Sequence, residues 1–267
     1  MRDSIEKLIK DFCGTVGVAF KNLKTNEEFS LRGDEVFPAA SVIKIAVMVE
    51  AFAQVDEGKL KLNDSITLTD ADKVPGAGVL QFMEAGMKLT LHDAISLMII
   101  LSDNTATNLV LDKIGLPATA RRMEMMHFPN TKIHSKVFKR ETSVFPERSQ
   151  KYGLGSTTPK EMARLLEMIH NGVCVSQDAS QQMLAILKRC DDDTKMKRFL
   201  PPQATVAHKT GAVDASRLDA GIVYSPKADY VLCVFTTDNA DKSWRIDNEA
   251  QVLIANISRS VYEFCQR

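Results

Sequence analysis

Three short groups of residues have the types and the order that nucleophilic acyl transfer requires: Ser41-Val42-Ile43-Lys44, Ser102-Asp103-Asn104 and Lys209-Thr210-Gly211. A serine hydroxyl attacks a carbonyl only when a neighbour takes its proton, and a lysine three residues on shares its helix face. That lysine becomes a usable base if burial and a second cation depress its pKa, and Lys209 is the candidate cation. Each group alone has an ordinary explanation: a helix start with an exposed lysine, a capped helix connection, a polar strand end before a turn. It is the ordered trio that points to chemistry. In that reading Ser102 relays a proton to the departing nitrogen and Asn104 holds the substrate amide by hydrogen bonds. Gly211 lets a substrate backbone lie alongside the strand edge.

The elements that must hold these residues follow from hydrophobic period. Period-2 patterns predict strands over 16–20 and 28–31, joined as a hairpin after a first helix from about Ser4, and over 204–209, 218–224 and 230–237. Helical period marks 41–52, 91–101, 104–114, 118–126, 159–169 and 180–187, and a closing amphipathic helix spans 244–264. The expected fold class is α+β: an antiparallel sheet flanked by helices plus an all-helical domain. The chain is read as one unit, 1–267, with a sheet lobe from 1–36 and 195–267 and a helical lobe from 37–194. A site between lobes is the usual place for a ligand.

Composition narrows the partners. Lysine plus arginine equals aspartate plus glutamate at 34 each, with no basic block, so nucleic acid is not expected as a partner. A small uncharged or zwitterionic molecule fits better. No apolar run reaches the length of a membrane span, and the start MRDSIEKLIKDF lacks the pattern of a secretory signal. As written, the chain reads as soluble and cytoplasmic. Five scattered cysteines without CxxC or Cys/His spacing are read as free, which suits a reducing compartment, and neither a metal nor a cofactor is expected. There is no GxSxG or HExxH, and the five histidines have no recognisable triad partner. His208, beside the KTG group, either lines a cleft or fills a strand face.

Around the three groups, the segments FPAASVIKIAVMVE, LTLHDAISLMIILSDNTATNLVLDKIG and STTPKEMARLLEMI give the sequence a wider resemblance. It resembles the class A β-lactamases along essentially its whole length, within the superfamily shared with penicillin-binding D,D-peptidases. The resemblance implies that Ser41 is acylated, that Lys44 and Ser102 move protons, and that Lys209 supports Ser102 electrostatically. It also implies an oxyanion hole from the N–H groups of Ser41 and Ala212, with Thr210 binding a substrate carboxylate. Arg217 resembles the family arginine that assists Thr210, and a surface arginine is the equal alternative.

One family feature is missing. The glutamate that positions the deacylating water belongs to an E-x-x-L-N pattern, and none occurs here. Anchoring on Thr131-Lys132-Ile133 puts Val137 at its place; a shifted register offers Glu141, and Glu147 is a weaker third choice. The loop 135–156 is polar enough for either carboxylate to be simply solvated. The resemblance therefore implies a serine hydrolase opening a β-lactam amide, or alternatively a D,D-peptidase-like or esterase-like enzyme that deacylates slowly. The small-molecule partner would be a β-lactam or a peptidoglycan stem peptide. Members of the family are usually exported.

Overall fold

The computed structural model describes residues 1–267. Its strands are β1 (Thr15–Asn22), β2 (Glu28–Leu31), β3 (Phe37–Pro38), β4 (Ser65–Thr67), β5 (Lys88–Thr90), β6 (Lys132–Ile133), β7 (Gly155–Thr157), β8 (Thr205–Val213), β9 (Ser216–Tyr224) and β10 (Tyr230–Thr237). Its helices are α1 (Arg2–Ile9), α2 (Lys44–Asp56), α3 (Leu91–Ile100), α4 (Asn104–Ile114), α5 (Leu116–Met125), α6 (Pro146–Tyr152), α7 (Pro159–His170), α8 (Gln177–Leu187) and α9 (Glu249–Cys265). None is long and apolar enough to cross a membrane.

Five strands form one antiparallel sheet in the order β2-β1-β10-β9-β8, which closes the two ends of the chain onto each other. Alternation decides what covers each face. Val16, Val18 and Phe20, with Tyr230, Leu232 and Val234, join the cluster that includes Ile5 of α1 and Ile254, Ile257 and Val261 of α9. The intervening residues Ala19, Val231, Cys233 and Phe235 turn the other way, into a core of 48 buried residues shared with the helices. Both faces are thus covered. Each fully buried Val, Leu, Ile or Phe on them contributes about 1.5–3 kcal/mol.

At the centre of the larger core runs α2, buried at every position from Lys44 to Ala53. An element apolar nearly all round must be packed on all sides, and KIAVMVEAFA meets that condition. Its one buried carboxylate, Glu50, is held by Arg122 Nε at 2.8 Å and by Gln54 at 2.7 Å. Helix α7 packs on the sheet against β1, β9 and β10, although it falls in the stretch read from sequence as the helical lobe.

Two expected elements have different bounds. The strand foreseen at 204–209 continues through the KTG group to Val213, because the pairing of β8 with β9 holds until Val213 meets Ser216 across a two-residue turn. The last helix starts at Glu249 rather than 244. Asn248 caps it, accepting the N–H groups of Ala250 and Gln251 at 3.1 and 3.3 Å, so residues 244–247 are free to form a loop.

Candidate active site

Ser41 lies in a 3-10 turn, Ala40–Ile43, that runs directly into α2 at Lys44. The turn begins with strained backbone: Ala40 has φ +43°, a region that costs a non-glycine residue about 1–3 kcal/mol. Ser102 has φ +54° and precedes the capping residue Asp103. Asp103 accepts the N–H groups of Ala106, Val79 and Leu80 at 2.8, 2.7 and 2.9 Å, tying the loop before it to the start of α4.

The buried Lys44 ammonium connects the first two sequence groups. It donates to the Ser102 carbonyl at 2.7 Å, to Ser102 Oγ at 3.2 Å and to Asn104 Oδ1 at 3.0 Å. Its pKa is pushed well below the usual lysine value by burial and then by the Lys209 charge, with Asp103 opposing. Those are the two conditions a lysine base needs. Lys209 is also buried and donates to the Thr210 carbonyl at 2.7 Å rather than to Ser102. Its influence on this group is that of a nearby charge.

The third group reaches Ser41 because β8 is the edge strand and because residue 211 is glycine. A Cβ there would lie 3.1 Å from the Ser41 nitrogen and from Ala40 Cβ. A cleft of about 860 Å³ opens at this junction, walled by Ser41, Ser102, Asn104, Thr210, Gly211 and Ala212. Its opposite wall comes from Ser135 to Phe138, with Trp244 from the loop before α9.

The loop residues are placed as follows. Val137 is buried on the cleft wall, fixed by Asn108 through Val137 N–H to Oδ1 at 2.8 Å and Nδ2 to Val137 O at 3.0 Å. Glu141 is exposed on a short 3-10 turn, and Glu147 is exposed in the first turn of α6; neither walls the cleft. Arg217 is buried rather than on the surface: its guanidinium donates to the carbonyls of Val213, Ser216 and Ser243 at 2.5, 2.9 and 2.6 Å, and lies 4.7 Å from the ring of Trp244 on the cleft wall.

Sequence reasoning missed Lys136, Arg140, Asp192, Lys195 and Trp244, all of which wall the cleft. Lys195 pairs with Asp192 at 2.7 Å, so the single carboxylate on the wall is already engaged. No local pattern marks these residues; only the folding of three separate segments brings them to one rim.

A helix-start serine, a buried lysine bonded to a second serine, and a KTG edge strand, set between a five-stranded antiparallel sheet and a helical layer, define an active-site serine acyl-transfer enzyme. The model of the beta-lactamase enzyme family matches residues 1–265, and the chain belongs to that family. A β-lactamase of Proteus vulgaris is 27% identical over 269 residues, covering 97% of this chain and 87% of its own. Among solved structures, the β-lactamase of Sphaerobacter thermophilus is similar with a TM-score of 0.88 and 30% identity, covering 99% of this chain and 96% of its own. PBP-A is similar at 0.87 and 29%, covering 99% and 95%. A leucine-to-glutamate variant of PBP-A, solved as an acyl-enzyme with penicillin G, is similar at 0.86 and 28%, with the same coverage.

Proposed function

We propose that this serine hydrolase opens the β-lactam amide by acylating Ser41 and clears the acyl-enzyme slowly. The observation that carries the first half is the depressed, buried Lys44 ammonium joined to Ser102 and Asn104 beside Ser41. As neutral amine, Lys44 takes the Ser41 proton while Oγ attacks the lactam carbonyl. The negative charge that develops on that oxygen is met by the N–H groups of Ser41 and Ala212. Collapse breaks the C–N bond, and Ser102 passes a proton to the leaving nitrogen. Thr210 and the exposed Arg140 at the cleft receive the substrate's carboxylate.

Slow clearance is supported by the wall opposite Ser41. Val137, which the anchoring on Thr131-Lys132-Ile133 sets at the position of the family glutamate, walls the cleft, and Asp192 is tied to Lys195. The same observation favours a second reading, a D,D-peptidase-like enzyme whose natural acyl donor is a peptidoglycan stem peptide and which a penicillin traps. Intact-mass spectrometry after mixing with benzylpenicillin tests both. One adduct of the penicillin's mass is expected, persisting for minutes and missing from Ser41→Ala. An adduct of equal yield on Ser41→Ala would remove Ser41 as nucleophile; decay within a second would remove slow clearance. Release of D-alanine from a stem peptide would favour the second reading.

A further inference from the structure

Two exposed aromatic rings stand on the cleft walls, and the acyl-transfer steps use neither. Trp244 is the single tryptophan of the chain and is 68% exposed, yet its loop is firmly held. Asn248 Nδ2 donates to the carbonyls of Asp241 and Ser243 at 3.0 and 3.1 Å, and the Arg217 guanidinium both bonds the Ser243 carbonyl and lies against the indole ring. Phe138, 65% exposed, stands on the facing wall. It is the third residue of a turn closed by the Lys139 N–H on the Lys136 carbonyl at 3.2 Å, and its φ is +56°. A turn position with positive φ ordinarily takes Gly or Asn, because a larger side chain is strained there. Core packing does not account for a phenylalanine at this point, since its ring faces the cleft. A Cβ on Gly76 would lie 2.8 Å from Asn104 Nδ2 and 3.2 Å from Phe138 Cε2, which sets that ring beside the Asn104 amide.

We propose that Phe138 and Trp244, with Val213, form a subsite for an aromatic substituent on the acyl half of the donor, so that these residues set the enzyme's preference among acyl donors. The inference rests on the proposed acylation of Ser41. Its direction follows from the edge strand. With Thr210 taking the carboxylate of the departing half and the Ala212 N–H facing the carbonyl oxygen, the acyl half continues along β8 toward Val213. Val213 is exposed at the cleft, just before the turn to Ser216. The Arg217 guanidinium that bonds the Val213 carbonyl at 2.5 Å also bonds that of Ser243 at 2.6 Å, which fastens the Trp244 loop to this end of the strand. Asn104, assigned to the substrate amide, brings the neighbouring Phe138 to the same end. A planar apolar ring entering there covers exposed aromatic surface, and aromatic pairs gain from stacked or edge-to-face contact beyond the area they bury. The strain at Phe138 and the anchoring of Trp244 hold both rings in place before the donor arrives, so little ordering is left for binding.

Two penicillins that share the nucleus and the side-chain amide test this on the full-length protein: benzylpenicillin, and 6-acetamidopenicillanic acid, which lacks the phenyl ring. The second-order acylation rate of wild type should be at least about tenfold higher with benzylpenicillin. Trp244→Ala and Phe138→Ala should each reduce that ratio to below about threefold, and Trp244→Phe, which keeps a ring, should retain most of it. Both side chains are exposed, so the alanine variants leave the core intact. Emission from Trp244 should move to the blue on acylation by benzylpenicillin and stay in place with the acetamido donor. Equal wild-type rates for the two donors would overturn the subsite, as would a ratio that both alanine variants leave unchanged. A general loss of activity slows both donors and gives that second result. Failure of either donor to label Ser41 would instead remove the acylation on which the subsite rests, and the subsite with it.

Discussion

The chemistry at Ser41 depends on one amine being neutral when its neighbours are charged. Lys44 is the base only above its lowered pKa, so the acylation rate falls as pH drops through that value. Removing the positive charge of Lys209 raises the Lys44 pKa. Lys209→Ala should therefore acylate more slowly and show its acid limb at higher pH than wild type, as measured by stopped-flow acylation across a pH series. An unmoved limb would mean that Lys209 does not act on Lys44 through charge. On the facing wall, Val137 invites a complementary test. Val137→Glu places a carboxylate at the cleft position and should shorten the lifetime of the penicillin adduct by at least about tenfold, in line with general-base contributions of 10²–10⁴. An unchanged lifetime would show that the wall position does not reach the ester water.

At the scale of elements, the segment between β6 and β7 contains only a 3-10 turn and the short helix α6 and is held in place by polar contacts. Asn108 clamps Val137, and Glu161 at the start of α7 accepts from Asn130 Nδ2 at 2.8 Å and Thr131 Oγ1 at 2.7 Å. His134 bonds the Gly153 carbonyl through Nδ1 at 2.9 Å and Ser156 Oγ through Nε2 at 3.1 Å. Its pKa is lowered to about 4, chiefly by burial, with Arg148 and Lys132 adding to the shift and the Gly153 bond opposing it. The unfolded chain takes up this proton near pH 6.5 and the native one near 4. Stability should therefore fall as pH falls through that window, by up to about 3 kcal/mol from this group, and level off below it. Denaturant melts of wild type and His134→Gln should diverge in slope between pH 6.5 and 4. Parallel curves would assign the acid sensitivity elsewhere.

Over the whole molecule, the core makes the two structural layers interdependent. The 48-residue cluster draws on α2, α3 and α4 and also on Ala207, Ala220 and Phe235 of the sheet. The sheet has a second, smaller cluster with α1 and α9, but the helical layer's core is the one it shares with the sheet. Heating should give a single calorimetric transition with equal calorimetric and van't Hoff enthalpies. Two resolved peaks would show that the sheet and helical layers unfold separately.

The sequence by itself determined the local facts: the main strands and every helix but the short α6, to within a few residues, from period; the three motif groups from residue type and order; the missing carboxylate from the absent pattern. These are legible because period and spacing are properties of neighbouring residues. It did not determine which charges meet. Arg217 had two open readings because a strand pattern does not say what faces a guanidinium, and the tertiary structure buries it against Trp244, which excludes a surface arginine. Glu141 and Val137 were competing registers of one loop until Asn108, 29 residues away, fixed Val137. No partner for His208 was visible, since Asp219 is a diagonal neighbour on the next strand. The sequence named Ser41 and Lys44, but the lowered pKa that lets Lys44 act as a neutral base comes from burial and from a cation 165 positions along the chain. Desolvation and long-range charge exist only once the chain has folded.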